Sequence, residues 1–566
     1  MKKRPDLSSG QFRTNYLPKL LFSLSVVISI IATYHVSAHF IDSDTSSELV
    51  LSQQLIEMGR LLSPDWFYAT ELRFLHVQWI YIPLMLLLDD WLMVRYIGAL
   101  VMQALYIISF ACLVRAAGKG KNFFYYGASL LLLPVSVTYG RVILYHNHYL
   151  LNLTLSFFVL ALSMYFADAV NWRSRKTWIR LFCLAVISFA GGLNSIRQLM
   201  ITHVPFAMIP VLLYWVEDLK SKDPGKTSFF KPANFNFLIC AAYCGFFSFA
   251  GLLAQRILVS KLGIHVAIQA ENVVMNFSGF QNIGDILYAF FHQFGYRTKA
   301  SMLSVSGLLS LGGIFIGCYL MFLAAKQLLQ SNPNRSRRTT LLSVSFLTHV
   351  AVMLLIFMMT SGEGGYNKTY YYPLYLSLCY PWAIPLLLIH FEELPARMHP
   401  MYIKKFFAVV TVVILLLSSS VNLAYFQGSN RFPQTYEGLT FQDKDKKAEL
   451  TEAVKFLTEQ GYDKGYAGYW ECNIVTEMTN GNIPMVLIKD YHEDKGANLA
   501  YRDWLTPLWN RESPCQKPFL LLRNELWNDV FPETDSSAYC TLIYSDDHCT
   551  AYRIDDLEAF ADTLRY

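Results

Sequence analysis

The chain has 566 residues, of which 54% are hydrophobic and 15% aromatic, while only 16% are charged. That balance excludes an ordinary soluble enzyme, and runs of about 20 apolar residues recurring between short charged loops read as a polytopic α-helical membrane protein. The net charge of +5 says less than the placement of the basic residues, which mark membrane-flanking loops, and no nucleic-acid partner is expected.

In chain order, Lys2, Lys3, Arg4, Arg13 and Lys19 precede the first apolar run, so the positive-inside rule puts the N-terminus in the cytoplasm. Leu17 to Val36 lacks a small-residue cleavage site and reads as a retained span. It leads into Asp42 and Asp44, two carboxylates with one residue between them. Acids beside a membrane surface are costly unless they have a job or a partner. Thr45 and Glu48 fit a capping box. After them Leu51, Leu55, Met58 and Leu62 fall on one helical face and Gln53, Glu57 and Arg60 on the other, which suits a helix lying flat in the interface. The stretch from Arg73 to Leu88 is interrupted by His76, Gln78 and Pro83 and reads as a juxtamembrane or re-entrant piece.

Further spans are expected near Arg95–Val114, Phe123–Gly140, Tyr149–Val170, Trp178–Asn194, Met200–Val216, Phe235–Leu258, Met302–Ala325, Leu341–Thr360, Tyr370–His390 and Lys405–Ala424. With the first, that makes eleven. Lys and Arg concentrate in the loops this assigns inside, and an odd number of spans places the C-terminus outside. From Gln427 the composition becomes that of a soluble domain, so residues 1–426 are expected to form a transmembrane domain and residues 427–566 a small exported α/β domain. Within the latter, helices are expected at Lys447–Gln460, Cys472–Thr479, Asn524–Val530 and Asp555–Leu564. Strands are expected at Gly465–Tyr469, Met485–Ile488, Phe519–Leu522, Cys540–Tyr544 and Ala551–Ile554. Cys472, Cys515, Cys540 and Cys549 could make two disulfides by any of three pairings, one of which would join Cys540 to Cys549 across a hairpin.

Most polar residues that composition does not explain fall on the expected outer side. They are Asp42, Asp44, Glu48, Glu71, Arg73 and His76 in the first loop, Arg141, His146, Asn147 and His148 in the second, Arg197 in the third, and Arg297 and Lys368 in later ones. A carboxylate base, cations for phosphate oxygens and aromatics for an amphipathic ligand make a set suited to an enzyme acting on a lipid phosphate. Arg197 could instead snorkel to the interface, and Tyr469-Trp470-Glu471 could contact an acceptor glycan, although a buried core aromatic is the preferred reading.

Asp44, the amphipathic run to Met58-Gly59, Pro64-Asp65-Trp66 and Arg73 together resemble the first external loop of GT-C glycosyltransferases, with protein O-mannosyltransferases and lipid A aminoarabinose transferases as the nearest likenesses. The resemblance continues through Arg95 to Lys121 and Arg141, up to about residue 200. It implies a GT-C-like fold, a sugar donor linked to polyprenyl phosphate, and an acceptor that is a cell-surface polysaccharide or lipid-linked glycan. By position, Asp44 would be the catalytic carboxylate and Asp42 the runner-up. Arg73, Arg197 and Arg141 would bind the donor phosphate, and Glu48, Glu71, His76, Asn147, His148, Arg297 and Lys368 would line the substrate pocket. The family often has lysine in a Lys-Pro-Pro context where this chain has Arg73, and a second external Asp where it has Asn147 or His148. The Asp42-x-Asp44 spacing is also similar to metal-binding sites of oligosaccharyltransferases, but two carboxylates without further assured ligands do not make a site for a hard cation, so no cofactor is required and a divalent metal is the alternative. The expected location is the inner (cytoplasmic) membrane of a bacterium. Two readings from other classes remain open: a lipid-linked glycan flippase or transporter, and a non-catalytic glycan-binding assembly protein.

Overall fold

The computed structural model describes residues 16–69, 71–145, 147–168, 170–219, 232–266, 273–275, 282–297, 301–329, 335–362, 372–393, 401–427, 446–489 and 499–564. The helices before the C-terminal region are α1 (Leu17–His39), α2 (Ser43–Met58), α3 (Gln78–Met85), α4 (Trp91–Ala116), α5 (Lys121–Leu131), α6 (Val137–Leu144), α7 (Asn147–Ser163), α8 (Arg175–Asn194), α9 (Val204–Leu219), α10 (Pro232–Leu262), α11 (Ile283–His292), α12 (Val305–Leu329), α13 (Arg337–Met359), α14 (Tyr372–Ser377), α15 (Tyr380–Glu392) and α16 (Met401–Phe426). Short strands β1 (Phe67–Tyr68), β2 (His265–Val266), β3 (Val273–Met275) and β4 (Thr360–Gly362) lie between them.

Among the described residues ten helical segments are long and apolar enough to cross a membrane, one fewer than the eleven expected, so the number of spans no longer places the C-terminus outside. The missing one is Phe123–Gly140. Pro134 interrupts it, and Ser136 starts a new helix by accepting the Tyr139 amide at 3.1 Å, so the run divides into α5 and α6. Proline removes a donor and clashes with the preceding turn, which ends a helix that hydropathy alone would carry on. The other ten expected spans each overlap one of these segments, and the protein is a multi-pass membrane protein. The Arg73–Leu88 stretch forms only α3, whose eight residues are too few to cross a core of about 30 Å.

The chain divides into two compact units, one drawn from residues 1–32, 102–253 and 270–438, the other from 33–101, 254–269 and 439–566. This differs from the expected division at 426/427, because the first loop folds in one unit with the C-terminal residues.

In the first unit, Trp382 of α15 stacks on His349 of α13 at 4.2 Å between ring centroids. It also meets Phe157 of α7 edge-on at 4.8 Å and Phe206 of α9 at 5.7 Å. Helices α8 and α10 approach until a Cβ on Gly192 would lie 1.8 Å from the Ser248 carbonyl oxygen and one on Gly251 2.1 Å from that of Phe189. Glycine at both crossings permits a contact that no side chain would, the usual device where apolar helices must pack without a hydrophobic driving force between them.

In the second unit, the C-terminal region forms α17 (Lys446–Glu459), β5 (Lys464–Ala467), α18 (Tyr469–Met478), β6 (Met485–Leu487), β7 (Pro518–Arg523), α19 (Asn524–Trp527), β8 (Cys540–Ser545), β9 (Cys549–Ile554) and α20 (Leu557–Thr563). All five expected strands and all four expected helices are present, although α19 is only one turn long. The sheet order is β6-β5-β7-β9-β8. Strand β5 is parallel to β6 and β7, and β9 is antiparallel to β7 and β8.

The disulfides that the spacing allowed do not form: Cys472, Cys515, Cys540 and Cys549 are all free thiols. The β8–β9 register pairs Cys540 with Ile554, while Cys549 pairs with Arg523, so the two cysteines lie at opposite ends of the hairpin. Burial pushes the Cys540 and Cys549 thiols up to about 12, which leaves little thiolate for oxidation at neutral pH. Alkylation of the denatured, unreduced protein is therefore expected to modify all 10 cysteines, and a reductant should leave the thermal midpoint unchanged.

The first loop docks on the C-terminal region through backbone hydrogen bonds. Trp66 forms a bridge with Pro507, the Phe67 amide donates to the Thr506 carbonyl at 3.0 Å, and the Leu508 amide donates to Asp65 at 2.7 Å. Trp66 is fully buried there. Beside it, Phe67 and Tyr68 pair in parallel with His265 and Val266.

Candidate functional site

Helix α2 begins three residues earlier than a Thr45–Glu48 capping box would place it. Asp42, in extended conformation, is the N-cap: its Oδ1 accepts the Thr45 amide at 2.8 Å and the Thr45 hydroxyl at 2.9 Å. Asp42 is thus occupied as a cap, and Glu48 lies fully buried within the helix. At the other end Gly59 takes φ +60° and donates back to the Ile56 and Leu55 carbonyls, a left-handed stop that glycine adopts at little cost. Leu51 and Leu55 are buried and Glu57 and Arg60 exposed, as the amphipathic pattern expects, but the first three turns are buried on nearly every side. The apolar face packs on α3 and α18 and is not the exposed face of an interfacial helix. Asp42→Ala is expected to cost about 1 kcal/mol of stability and Asp42→Asn almost none, measured by thermal unfolding, because asparagine caps as well as aspartate.

Asp44 lies in the first turn of α2, where the unpaired amides favour a negative charge. Tyr469, the first residue of α18, donates its hydroxyl to Asp44 Oδ1. Burial, then the Asp44 charge, pushes the Tyr469 phenol well above its ordinary value, so it stays a donor throughout the physiological range. Two more α18 residues, each one turn further on, engage the same helix or its neighbour. Asn473 donates to the Ser43 hydroxyl at 3.2 Å and to the Leu505 carbonyl at 3.1 Å. Glu477 takes the Arg95 Nε at 2.8 Å and a second, shorter bond from Nη2. Arg95 also donates to the Thr45 hydroxyl at 2.7 Å, so it ties α4 and α18 to the turn of α2 that carries Asp44. The Arg95 and Glu477 side chains are only 3% and 2% exposed.

Arg73 reaches the same helix, donating to the Ser47 hydroxyl at 3.0 Å. Its φ of +55° is a left-handed conformation that costs a non-glycine residue about 1 kcal/mol or more and concentrates at functional sites. The guanidinium of Arg502 lies 5.0 Å over the Tyr469 ring. Behind Asp44 is a second polar group. The Gln78 amide donates to the Glu48 carbonyl at 3.5 Å, and its Oε1 lies 2.9 Å from His76 Nδ1. His76 Nε2 faces Glu71 at 3.7 Å.

The remaining described candidates lie in the other unit. Arg197 does not snorkel freely: its guanidinium sits 5.0 Å over Tyr149 and 5.6 Å over Tyr375. The His148 ring is 4.2 Å from that of Tyr149. Asn147 is buried at the start of α7, and Arg141, 7% exposed, lies 5.7 Å over Tyr145. Arg297 donates to the Ser306 hydroxyl at 3.0 Å and the Asn422 side-chain Oδ1 at 3.2 Å, and burial lowers its guanidinium to about 10, still a cation at neutral pH. Lys368 and His146 lie outside the described residues.

Comparison with solved structures finds the same layout elsewhere. The apo oligosaccharyltransferase of Archaeoglobus fulgidus superposes with a TM-score of 0.50 at 11% identity, covering 96% of this chain and 75% of that one. The fold is GT-C-like. ArnT from Cupriavidus metallidurans bound to undecaprenyl phosphate aligns over 96% of this chain and 98% of its own, at 11% identity and a TM-score of 0.47. The peptide-tethered form of the archaeal enzyme aligns over 97% and 75%, at 10% and 0.48. No protein-family model matches the sequence, and no curated protein resembles it in sequence.

Within this GT-C-like fold, the residues that sequence reasoning missed are the polar face of α18 and the inward role of Arg95. Tyr469 is buried, as expected, but as a hydrogen-bond donor to a carboxylate. The signal was present in Tyr469, Asn473 and Glu477, spaced four apart on a helix whose neighbouring positions include Cys472, Ile474 and Val475. A buried polar stripe on a helix demands polar partners.

Proposed function

We propose that this protein is an integral-membrane glycosyltransferase that moves a sugar from a polyprenyl-phosphate donor to a glycan or lipid-linked acceptor outside the cytoplasmic membrane, with Asp44 as general base. The observation that carries the reading is the contrast between the two acids. Asp42 is consumed as a helix cap, whereas Asp44 is oriented by a tyrosine from a distant part of the chain. A base that must meet an acceptor hydroxyl has to be held in a fixed orientation, and the Tyr469 bond supplies that. The GT-C-like fold is in keeping with this.

In the proposed reaction the acceptor oxygen attacks the anomeric carbon as the bond to the phosphate oxygen breaks. The hydroxyl proton passes to Asp44, and the carrier phosphate leaves with its electron pair. Charge develops at both ends of that displacement, so a base at one and cations at the other lower the barrier. Arg73, which reaches the helix that carries Asp44, is the proposed cation. A single displacement inverts the anomeric centre.

The test is transfer from a polyprenyl-phosphate sugar pool in membrane vesicles, with the product linkage read by NMR. Retention of the donor configuration would overturn the single-base mechanism. Tyr469→Phe is expected to lower turnover about ten-fold with the fold intact, since a hydrogen bond to a charged group contributes roughly 1.5–3 kcal/mol and only part of that is specific to the transition state. The transporter and glycan-binding readings expect lipid translocation or glycan retention that is indifferent to these substitutions.

A further inference from the structure

At the end of α7 away from Asn147, the chain makes a short turn through Met164–Phe166 and re-enters as α8 at Arg175. A cavity of about 230 Å³ opens there, lined among others by Tyr165, Phe166, Asp168, Lys176, Arg180 and Arg338. Its three cations face one carboxylate, and that one is already taken, since Arg338 Nε lies 2.7 Å from Asp168. The guanidinium of Arg180 lies 3.7 Å from the Tyr165 ring centroid and that of Arg338 5.0 Å. Arg338 is held further by donating to the Ala116 carbonyl at 3.1 Å. Arg180 has no carboxylate partner among the described residues. The cavity therefore carries an uncompensated positive charge on a preformed frame.

We infer that this cavity binds the phosphate of an anionic phospholipid headgroup. Three candidate spans end at it: Asn147–Phe166, Arg175–Asn194 and Arg337–Met359. Trp172 and Trp178, 45% and 59% exposed, stand beside it, with the Trp178 indole donating to the Trp172 carbonyl at 2.9 Å. Tryptophans seek the headgroup layer of a bilayer, and basic pockets between spanning helices at that depth take anionic headgroups. A volume below the roughly 300–1,000 Å³ of sites that engulf a whole small molecule fits one phosphate whose acyl chains remain in the bilayer. The inference uses none of the residues proposed for sugar transfer and stands apart from that proposal.

The experiment uses the full chain in nanodiscs of phosphatidylcholine with and without phosphatidylglycerol, with bound lipid counted by native mass spectrometry and the thermal midpoint followed in parallel. Wild type is expected to retain phosphatidylglycerol and to unfold at a higher temperature in its presence. Arg180→Gln, which breaks no ion pair among the described residues, should weaken retention about five-fold, and adding Arg338→Gln should bring the loss to about 30-fold, from one surface-charge contribution per residue. Unchanged retention in Arg180→Gln, at an unchanged midpoint in pure phosphatidylcholine, would overturn the inference. So would inorganic phosphate that displaces the lipid and raises the midpoint equally, because the site would then be one for a free anion.

Discussion

Asp44→Asn is expected to reduce sugar transfer by roughly 10²–10⁴-fold, the usual contribution of a general base, while the thermal midpoint stays close to wild type. Asparagine keeps an oxygen where Asp44 Oδ1 accepts the Tyr469 hydroxyl, so the contact between α2 and α18 survives and only the basic group is lost. The substitution is therefore cleaner than alanine, which would also strand a buried phenol. The loss should fall on kcat more than on KM if the carboxylate acts on the proton in flight and contributes little to ground-state binding. Transfer at the wild-type rate by a folded Asp44→Asn protein would remove Asp44 from the mechanism. Because Asp42 is spent as a cap, the search would then move to Glu71 and His76.

Arg95→Met is expected to destabilise the protein by about 3–5 kcal/mol, the largest stability effect among the residues around the candidate site, because it leaves Glu477 buried without its cation. Glu477→Gln should cost nearly as much for the converse reason. The double change Arg95→Met with Glu477→Met should recover most of the loss, since two apolar side chains in a buried site avoid both desolvation penalties. What the double variant does not restore is the Arg95 bond to Thr45, so it should remain less active than stable. Thermal unfolding in detergent beside the transfer assay separates the two effects. Additive losses in the double variant would mean that the pair does not couple.

Many of the helical elements were legible because hydropathy and period are local properties. A span of about 20 apolar residues announces itself regardless of its neighbours, and the short strands of the C-terminal region carried β-branched and aromatic residues between turn signals. Pro134 shows where locality ends: it was visible, but whether it kinks a helix or divides it depends on the Ser136 cap that follows. The cysteines failed for a related reason, since spacing suggested a bridge and only the strand register, which sends Cys540 to Ile554, decides against it.

By itself the sequence determined that the chain crosses a membrane repeatedly, that a small α/β region follows, and that Asp42 and Asp44 stand at the start of a helix. These depend on composition, period and capping, which act over a few residues. Only the tertiary structure decided which of the two acids is a cap and which is oriented from afar, and that residues 33–101 fold with residues 439–566 rather than with the intervening spans. It also brought Tyr469, Asn473, Glu477 and Arg95 together as the frame around the turn that carries Asp44. A buried hydrogen bond or ion pair between residues hundreds of positions apart has no local signature, because its energy exists only once both partners leave water together.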